Sequence, residues 1–526
     1  MQKFIANHQD QIAGVLSGFD RLVFRGTLRS IAHTPGMSQY LASNNVLLTN
    51  FGSHVERVSA KLKTASLAEA LAADRPVRYL ASSSVSKEKI AQQIATQDAI
   101  TAGLVCVLTC VEPCRTFEIY RDRATWQLRL QPRIRKCLFL YHYRIHPVFG
   151  LLNARIQTWF PFSIQICLNG RAWLAQQMNA QGLAYGRHDN CFPWIEDWPQ
   201  AQRLMDQQLT VDWPSLLSAI ARSLNPIHDQ LFNAYPAAYY WSTYQSEWAI
   251  DLSFRDAATL RRLYPRLLQH AIVSLGSGDV MRFLGRRVPL TGEVPKRFTG
   301  EVVSDLRERQ EGVRIKHQLN SNSVKLYDKA FTELGSVLRA EGTINSVDDY
   351  RVYRPKEGCA RDGLAWRPLR RGIADLPRRA EVARKAAERY LDALASVDDD
   401  TTLSDLLRRL DQPRYWHGRR VRALRPFAPD DRQLLHMISR GEFTLNGLRN
   451  RDLQRLYFAQ ASTNSHEAHR RSAWVSRKLR LLRAHGLLYK ISHTHRYQLT
   501  KVGRATTTAI LAALRSTARQ LTTTAA

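Results

Sequence analysis

The reading turns first on residues 470–500, RRSAWVSRKLRLLRAHGLLYKISHTHRYQLT. Val475, Leu479 and Leu482 recur at spacings of four and three, which marks one side of a helix as buried. Arg470, Ala473, Arg477, Arg480 and Ala484 fall on the opposite side of a 3.6-residue period. Small residues between guanidinium groups suit a helix entering a major groove: they allow close approach, and the donors reach phosphates or the O6/N7 edge of guanine. Gly486 stops the helix. LLYKI (487–491), the turn SHTH (492–495) and RYQLT (496–500) then read as a hairpin with His493, His495 and Arg496 at its tip. Thr500 is a good N-cap for a last helix.

Upstream, the spacing predicts helices over 431–440, ended by Gly441, and over 448–458, entered through 444–446. A polar loop at 461–469 precedes the basic helix. This order, with SAWVSRKLRLLRAHGLLYKI (472–491) leading into HRYQLTKVGR (495–504), resembles the winged helix-turn-helix of the MarR-like transcription regulators over residues 430–508. The resemblance implies duplex DNA binding, with the basic helix in the major groove and the hairpin as a wing on the backbone or minor groove. The chain lacks the flanking dimerisation helices of those regulators, so dimeric operator binding is not implied. The whole chain is similar to bacterial proteins of comparable length that carry the MarR-like label, which describes only this last domain. The contacts assigned to nucleic acid here are Arg470, Arg471, Ser476, Arg477, Lys478, Arg480, His493, His495 and Arg496.

The charge balance agrees. The 526 residues hold 76 Lys+Arg against 46 Asp+Glu, a formal +30, and residues 414–526 alone hold 22 against 5. A polyanion gains affinity by releasing condensed counterions to such a surface, so nucleic acid is the default partner. Hydrophobic residues at 44% exclude wholesale disorder, and the length suggests several domains. No run reaches the roughly 18 apolar residues of a membrane helix, and the first residues lack the build of a secretory signal. Seven cysteines in a long chain speak for reduced thiols. The expected setting is a bacterial cytoplasm, without membrane contact.

The fold class expected is α+β and multidomain: a mixed α/β N-terminal part with antiparallel sheets, a helical insert, and the C-terminal winged helix-turn-helix. The domains are placed at 1–195 (mixed α/β), 196–300 (helical), 301–397 (antiparallel meander and long helix), 398–429 (linker) and 430–526. Strand character is dense at 104–111, 116–120, 126–131, 137–143 and 155–168. It is then lost over 196–285, where helical spacing takes over. Between 312 and 345 a period of two returns in VRIKHQL, SVKLYDK and SVLRAEGTIN. Alternation there puts Val313, Ile315, Val324, Leu326, Leu338 and Ala340 on one face and Arg314, Lys316, Lys325, Tyr327, Arg339 and Glu341 on the other. Arg314, Lys316, Lys325 and Arg339 are assigned to a second nucleic-acid surface, partly neutralised by Asp328 and Glu341.

VKLYDK followed by LRAEGTIN resembles a strand pair in phage and plasmid replication proteins of the rolling-circle type. In that family a His-hydrophobic-His metal site serves a tyrosine nucleophile. The nearest match here, YHYRIH (141–146), has a different spacing, and supplies His142 and His146 as candidate metal ligands with Tyr141 or Tyr143 as nucleophile. A second candidate is Asp20 on an early strand, as in a ribonuclease-H-like sheet, completed by Asp189 and Glu196 or Asp251. Cys106, Cys110, Cys114 and Cys137 lack the CxxC pairing of zinc sites and read as core. GSGD at 276–279 lacks a P-loop lysine. The aromatics between Trp159 and Trp241 are assigned mainly to packing.

The primary expectation is a DNA-binding regulator or mobile-element accessory protein needing no cofactor. The alternatives are a replication initiator or transposase-like nuclease using a divalent metal, and a protein of RNA or single strands that stacks bases on Tyr327 and Tyr350.

Overall fold

The computed structural model describes residues 1–286, 301–309, 312–329, 336–356, 363–395, 402–440, 443, 447–458, 460, 462, 464–491 and 494–517. The expected features at Cys359, 398–400, Gly441, 444–446 and His493 lie outside them. In chain order the strands are β1 (Ile12–Leu28), β2 (Val77–Tyr79), β3 (Gly103–Arg121), β4 (Leu128–His146), β5 (Gly150–Gln157), β6 (Ile164–Asn169), β7 (Tyr185–His188), β8 (Cys191–Ile195) and β9 (Tyr239–Phe254). There follow β10 (Val302–Arg309), β11 (Gly312–Leu319), β12 (Asn322–Asp328), β13 (Ser336–Ile344), β14 (Arg351–Arg354), β15 (Ala365–Pro368), β16 (Arg414–Trp416) and β17 (Arg419–Val421). The last are β18 (Leu448–Arg449), β19 (Leu488–Lys490) and β20 (Arg496–Leu499). The chain is mixed α and β, as expected, and forms two compact units.

The larger unit, residues 10–257 and 328–387, is built on strands ordered β13-β9-β1-β6-β5-β4-β3-β2. Every pair is antiparallel except β2 with β3. The strand-rich stretches at 104–120 and 126–143 merge into β3 and β4, paired along their full length. Helix Lys87–Gln97 supplies Ala91 and Ile94 to a core on this sheet that also takes Cys106, Cys110, Cys114 and Cys137. The cysteines are therefore packing residues.

The expectation of a helical insert at 196–300 is corrected at its centre. Residues 239–254 form β9, which lies between β1 and β13 and is almost wholly buried along its second half. Its polar residues Ser246, Glu247, Asp251 and Ser253 break the apolar alternation that marks a strand, so the segment carries no period-two signature. Helix Leu376–Leu394 approaches β13 so closely that a Cβ on Gly342 would meet the Ala383 carbonyl at 2.5 Å. That contact lies on the side of β13 opposite Arg339, Glu341 and Thr343.

The smaller unit comprises residues 1–9, 258–327 and 388–526. Its β10, β11 and β12 form an antiparallel meander. Its C-terminal part has helices Pro429–Ile438, Asn450–Tyr457 and Ser465–Ala484, then β19 and β20, then helix Lys501–Arg515. β20 lies between β18 and β19 in a small antiparallel sheet. Leu434, Leu453, Val475, Leu479, Leu482 and Ile510 meet in one core, including all three residues of the expected buried stripe.

Candidate functional site

Two groups of residues have the chemistry to act. In the smaller unit, helix Ser465–Ala484 starts at Asn464, whose Oδ1 accepts the Glu467 N–H at 2.8 Å. It ends at Gly486 with φ +71°, a conformation that costs glycine least. Asn450 ties it to the preceding helix by donating to the Ser472 carbonyl (2.9 Å) and to Ser476 Oγ (2.8 Å). The cations of this helix sort into two sets. Arg471 pairs with Glu467 (2.6 Å), donates to the Gln460 carbonyl and lies over the Phe458 ring. Lys478 sits 3.7 Å from Asp431 and over Trp474, and Arg483 lies over Trp416 and Tyr497. Arg470, Arg477 and Arg480 are exposed, with Ala473 exposed between them. No hydrogen bond, ion pair or ring contact engages these three among the described residues.

Arg471 and Lys478, read from sequence as contacts, are thus engaged within the domain, while Ser476 stays exposed and accepts from Asn450. Asp431, held by Arg422 at 2.6 and 2.7 Å, is the anion that draws Lys478 inward. At the hairpin, His495 is exposed and Arg496 half-buried.

The second group lies in the larger unit, where β1, β9 and β13 run side by side. Phe19 faces Trp248 and Arg21 faces Glu247, so Asp20 is the extra residue of a β-bulge. Bulges re-aim side chains, and this one brings Asp20 to Glu247 and Glu341: one oxygen from each lies within 4.8 Å of the others, and all three are buried. Thr343 Oγ1 donates to Glu341 (3.0 Å) and Gln245 Nε2 to Glu247 (2.7 Å).

A dense ion-pair network supports Asp20. Arg339 Nη1 donates to it at 3.1 Å, and Asn190 Nδ2 to both its oxygens at 3.1 and 3.2 Å. Asn190 in turn accepts from Lys329 Nζ (2.6 Å) and, through its carbonyl, from Arg339 (2.6 Å). Asp251 receives Arg339 at 2.6 and 2.9 Å and Arg171 at 3.1 and 2.9 Å. Arg171 sits on the first turn of helix Gly170–Ala180, capped by Asn169, where a Cβ on Gly170 would collide with the Phe19 carbonyl. Burial opposes the charge on Asp20, but Arg339, Arg171 and Lys329 outweigh it and hold its carboxyl below the usual range. Asp251 is held low in the same way by Arg171 and Arg339.

Of the predicted carboxylates, Asp20 therefore has the partners a cation site needs, while Asp251 is consumed by two arginines. Asp189 occupies the β7–β8 turn, and Glu196 accepts the Ala184 N–H at 3.2 Å. Glu247 and Glu341, the other two candidate ligands, are not singled out by the sequence, because recognising them requires knowing that β9 and β13 are neighbours.

The histidine candidates are corrected. His142 and His146 lie four residues apart on one strand, about 13 Å along it, too far to share an ion. His142 is buried against Ser66 Oγ (3.1 Å), and burial with the Arg144 charge brings its pKa down to about 4. His146 accepts the Val148 N–H. Tyr143 accepts from Asn153, Tyr141 donates to Glu112, and burial raises both phenols, so neither is poised as a nucleophile. Of the face expected to be exposed, Arg314 and Lys316 on β11 are half-buried, whereas Lys325 and Tyr327 on β12 and Arg339 and Glu341 on β13 are buried. The expected outer face is therefore buried at β12 and β13 but half-exposed at β11, and Tyr327 and Tyr350 are both buried, so neither is placed to stack bases. Comparison of the chain with protein-family models, with curated proteins and with solved structures finds no match.

Proposed function

We propose that the protein binds duplex DNA through the exposed basic side of helix Ser465–Ala484, in a winged-helix arrangement with β19 and β20 as the wing. The observation that carries this reading is the partition of cations on that one helix. Arg471, Lys478 and Arg483 are held internally, while Arg470, Arg477 and Arg480 stand in solvent around Ala473. Guanidinium groups spaced in this way fit phosphates and guanine edges of a groove wide enough for a helix. Polarisation of a labelled duplex against the full chain at two or more salt concentrations tests it. Binding whose affinity falls with salt and is lost on replacing Arg477 and Arg480 supports the reading; unchanged binding by both variants ends it.

A second reading is divalent-metal-dependent phosphodiester chemistry in the larger unit, favoured by the convergence of Asp20, Glu247 and Glu341. Carboxylate oxygens are the ligands Mg²⁺ and Mn²⁺ prefer, and such an ion activates a nucleophile or stabilises charge on a phosphoryl oxygen. Nicking of DNA with Mn²⁺ that disappears in Glu341→Gln supports this reading. Cleavage that survives in Glu341→Gln places the chemistry elsewhere.

A further inference from the structure

On the sheet of the larger unit, Arg25 of β1 faces Gln165 of β6, which faces Arg155 of β5. Arg115, from β3, joins them, and together with Ser163 and Tyr244 they line a cavity of about 280 Å³. Arg155 has partners: Nη1 donates to Glu112 at 2.7 Å and Nη2 to Gln165 at 3.0 Å. Among the described residues, no carboxylate lies within ion-pair distance of Arg25 or Arg115. The cationic neighbours acting on Arg25 are Arg115 and Arg155, which add to burial in disfavouring its charge.

Three guanidinium groups gathered around one cavity repel each other, and two of them have no counter-ion in the fold. Buried arginines elsewhere in this unit have partners: Arg171 and Arg339 are both locked to Asp251, and Arg379 donates to Ser246 Oγ and the Thr243, Tyr244 and Ile344 carbonyls, whereas among the described residues the guanidinium groups of Arg25 and Arg115 have neither kind of partner. We infer that Arg25, Arg115 and Arg155 form a pocket for a phosphoryl group, supplied either by a free phosphate compound or by the backbone of a single nucleic-acid strand. The planar forks of arginine match phosphate oxygens in pairs, while Gln165 and Ser163 add neutral polar groups beside them. Tyr244 is the extra residue of a second bulge, since Val23 faces Gln245 and Phe24 faces Thr243. It is exposed at the pocket rim, where a ring stacks on a base. None of these residues belongs to the duplex-binding helix or to the carboxylate cluster, so this inference stands or falls separately from both.

The test uses the full chain with Arg25→Gln and Arg115→Gln. Titration calorimetry with sodium pyrophosphate, and polarisation of a labelled eight-nucleotide single strand with and without pyrophosphate, provide the two arms. The expected result is pyrophosphate binding that weakens roughly tenfold with each variant. Displacement of the strand by pyrophosphate assigns the pocket to nucleic-acid backbone; pyrophosphate binding without displacement assigns it to a free phosphate compound. Without ligand, Arg25→Gln keeps or raises the melting temperature, because it relieves repulsion, whereas loss of a structural arginine lowers it. Should Arg25→Gln fail to fold, the exposed Arg115 decides through its own variant. Failure of pyrophosphate to bind, or wild-type binding by the variants that fold, overturns the inference.

Discussion

Replacing cations of equal charge at neighbouring positions on one helix separates contact with DNA from general attraction. Arg477→Ala and Arg480→Ala remove guanidinium groups that make no hydrogen bond, ion pair or ring contact among the described residues. Their effect on stability is expected within about 0.5 kcal/mol. Each weakens duplex binding by about 1–3 kcal/mol where the arginine reads a base edge, which is roughly 5- to 150-fold. An arginine on a phosphate instead lowers the salt slope by about 0.9. Arg471→Ala, by contrast, removes an ion pair to Glu467 at 2.6 Å, a hydrogen bond to the Gln460 carbonyl and a ring contact with Phe458. Half-exposed pairs and cation–ring contacts are each worth at most about 1 kcal/mol, so a loss of about 1–2 kcal/mol of stability is expected, with little change in affinity at a temperature where the variant is folded. Duplex polarisation and thermal unfolding on the same preparations read both quantities. If folded Arg471→Ala and Lys478→Ala lose as much affinity as Arg477→Ala, binding follows net charge and the helix face is not the contact.

Removing Arg339 while leaving Asp251 and Asp20 buried destabilises the larger unit by about 3–5 kcal/mol; urea unfolding of Arg339→Met against wild type measures it, and a loss below 1 kcal/mol contradicts the network described. His142 titrates at about 4 in the folded chain against about 6.5 unfolded, so the unfolded chain takes the proton first. Its contribution to stability is full above pH ~6.5 and falls by roughly 3 kcal/mol as pH drops toward 4; His142→Gln flattens that part of the stability–pH curve. Asp20 and Asp251 have lowered folded values, so their contribution is present above the unfolded value near 3.9 and is lost as pH falls below it. Asp251→Asn shrinks this acid-induced loss. Mn²⁺ raises the melting temperature of wild type and not of Glu341→Gln if the three carboxylates hold an ion.

The C-terminal domain was legible because its information is local. The stripe Val475, Leu479 and Leu482, the stop at Gly486 and the cap at Thr500 each act within one or two turns, and all are where their spacing put them. What spacing did not separate was Arg477 from Lys478. Only Asp431, forty-odd positions upstream, pulls one of these neighbours inward. Likewise Asp20 drew notice as an acidic residue on an early strand, while Glu247 lay in a segment read as helical and Glu341 on a face read as exposed.

From the order of residues alone came the excess of cations toward the C-terminus, the helical stripe with its basic reverse, and the strand character of β3, β4, β11 and β12. The tertiary structure decided that β9 runs between β1 and β13, that a bulge turns Asp20 toward two glutamates, and that three arginines share a cavity. The reason is physical: capping and helical periodicity are set by neighbours along the chain, whereas a carboxylate's or guanidinium's role depends on which charges strand pairing brings within a few ångströms of it.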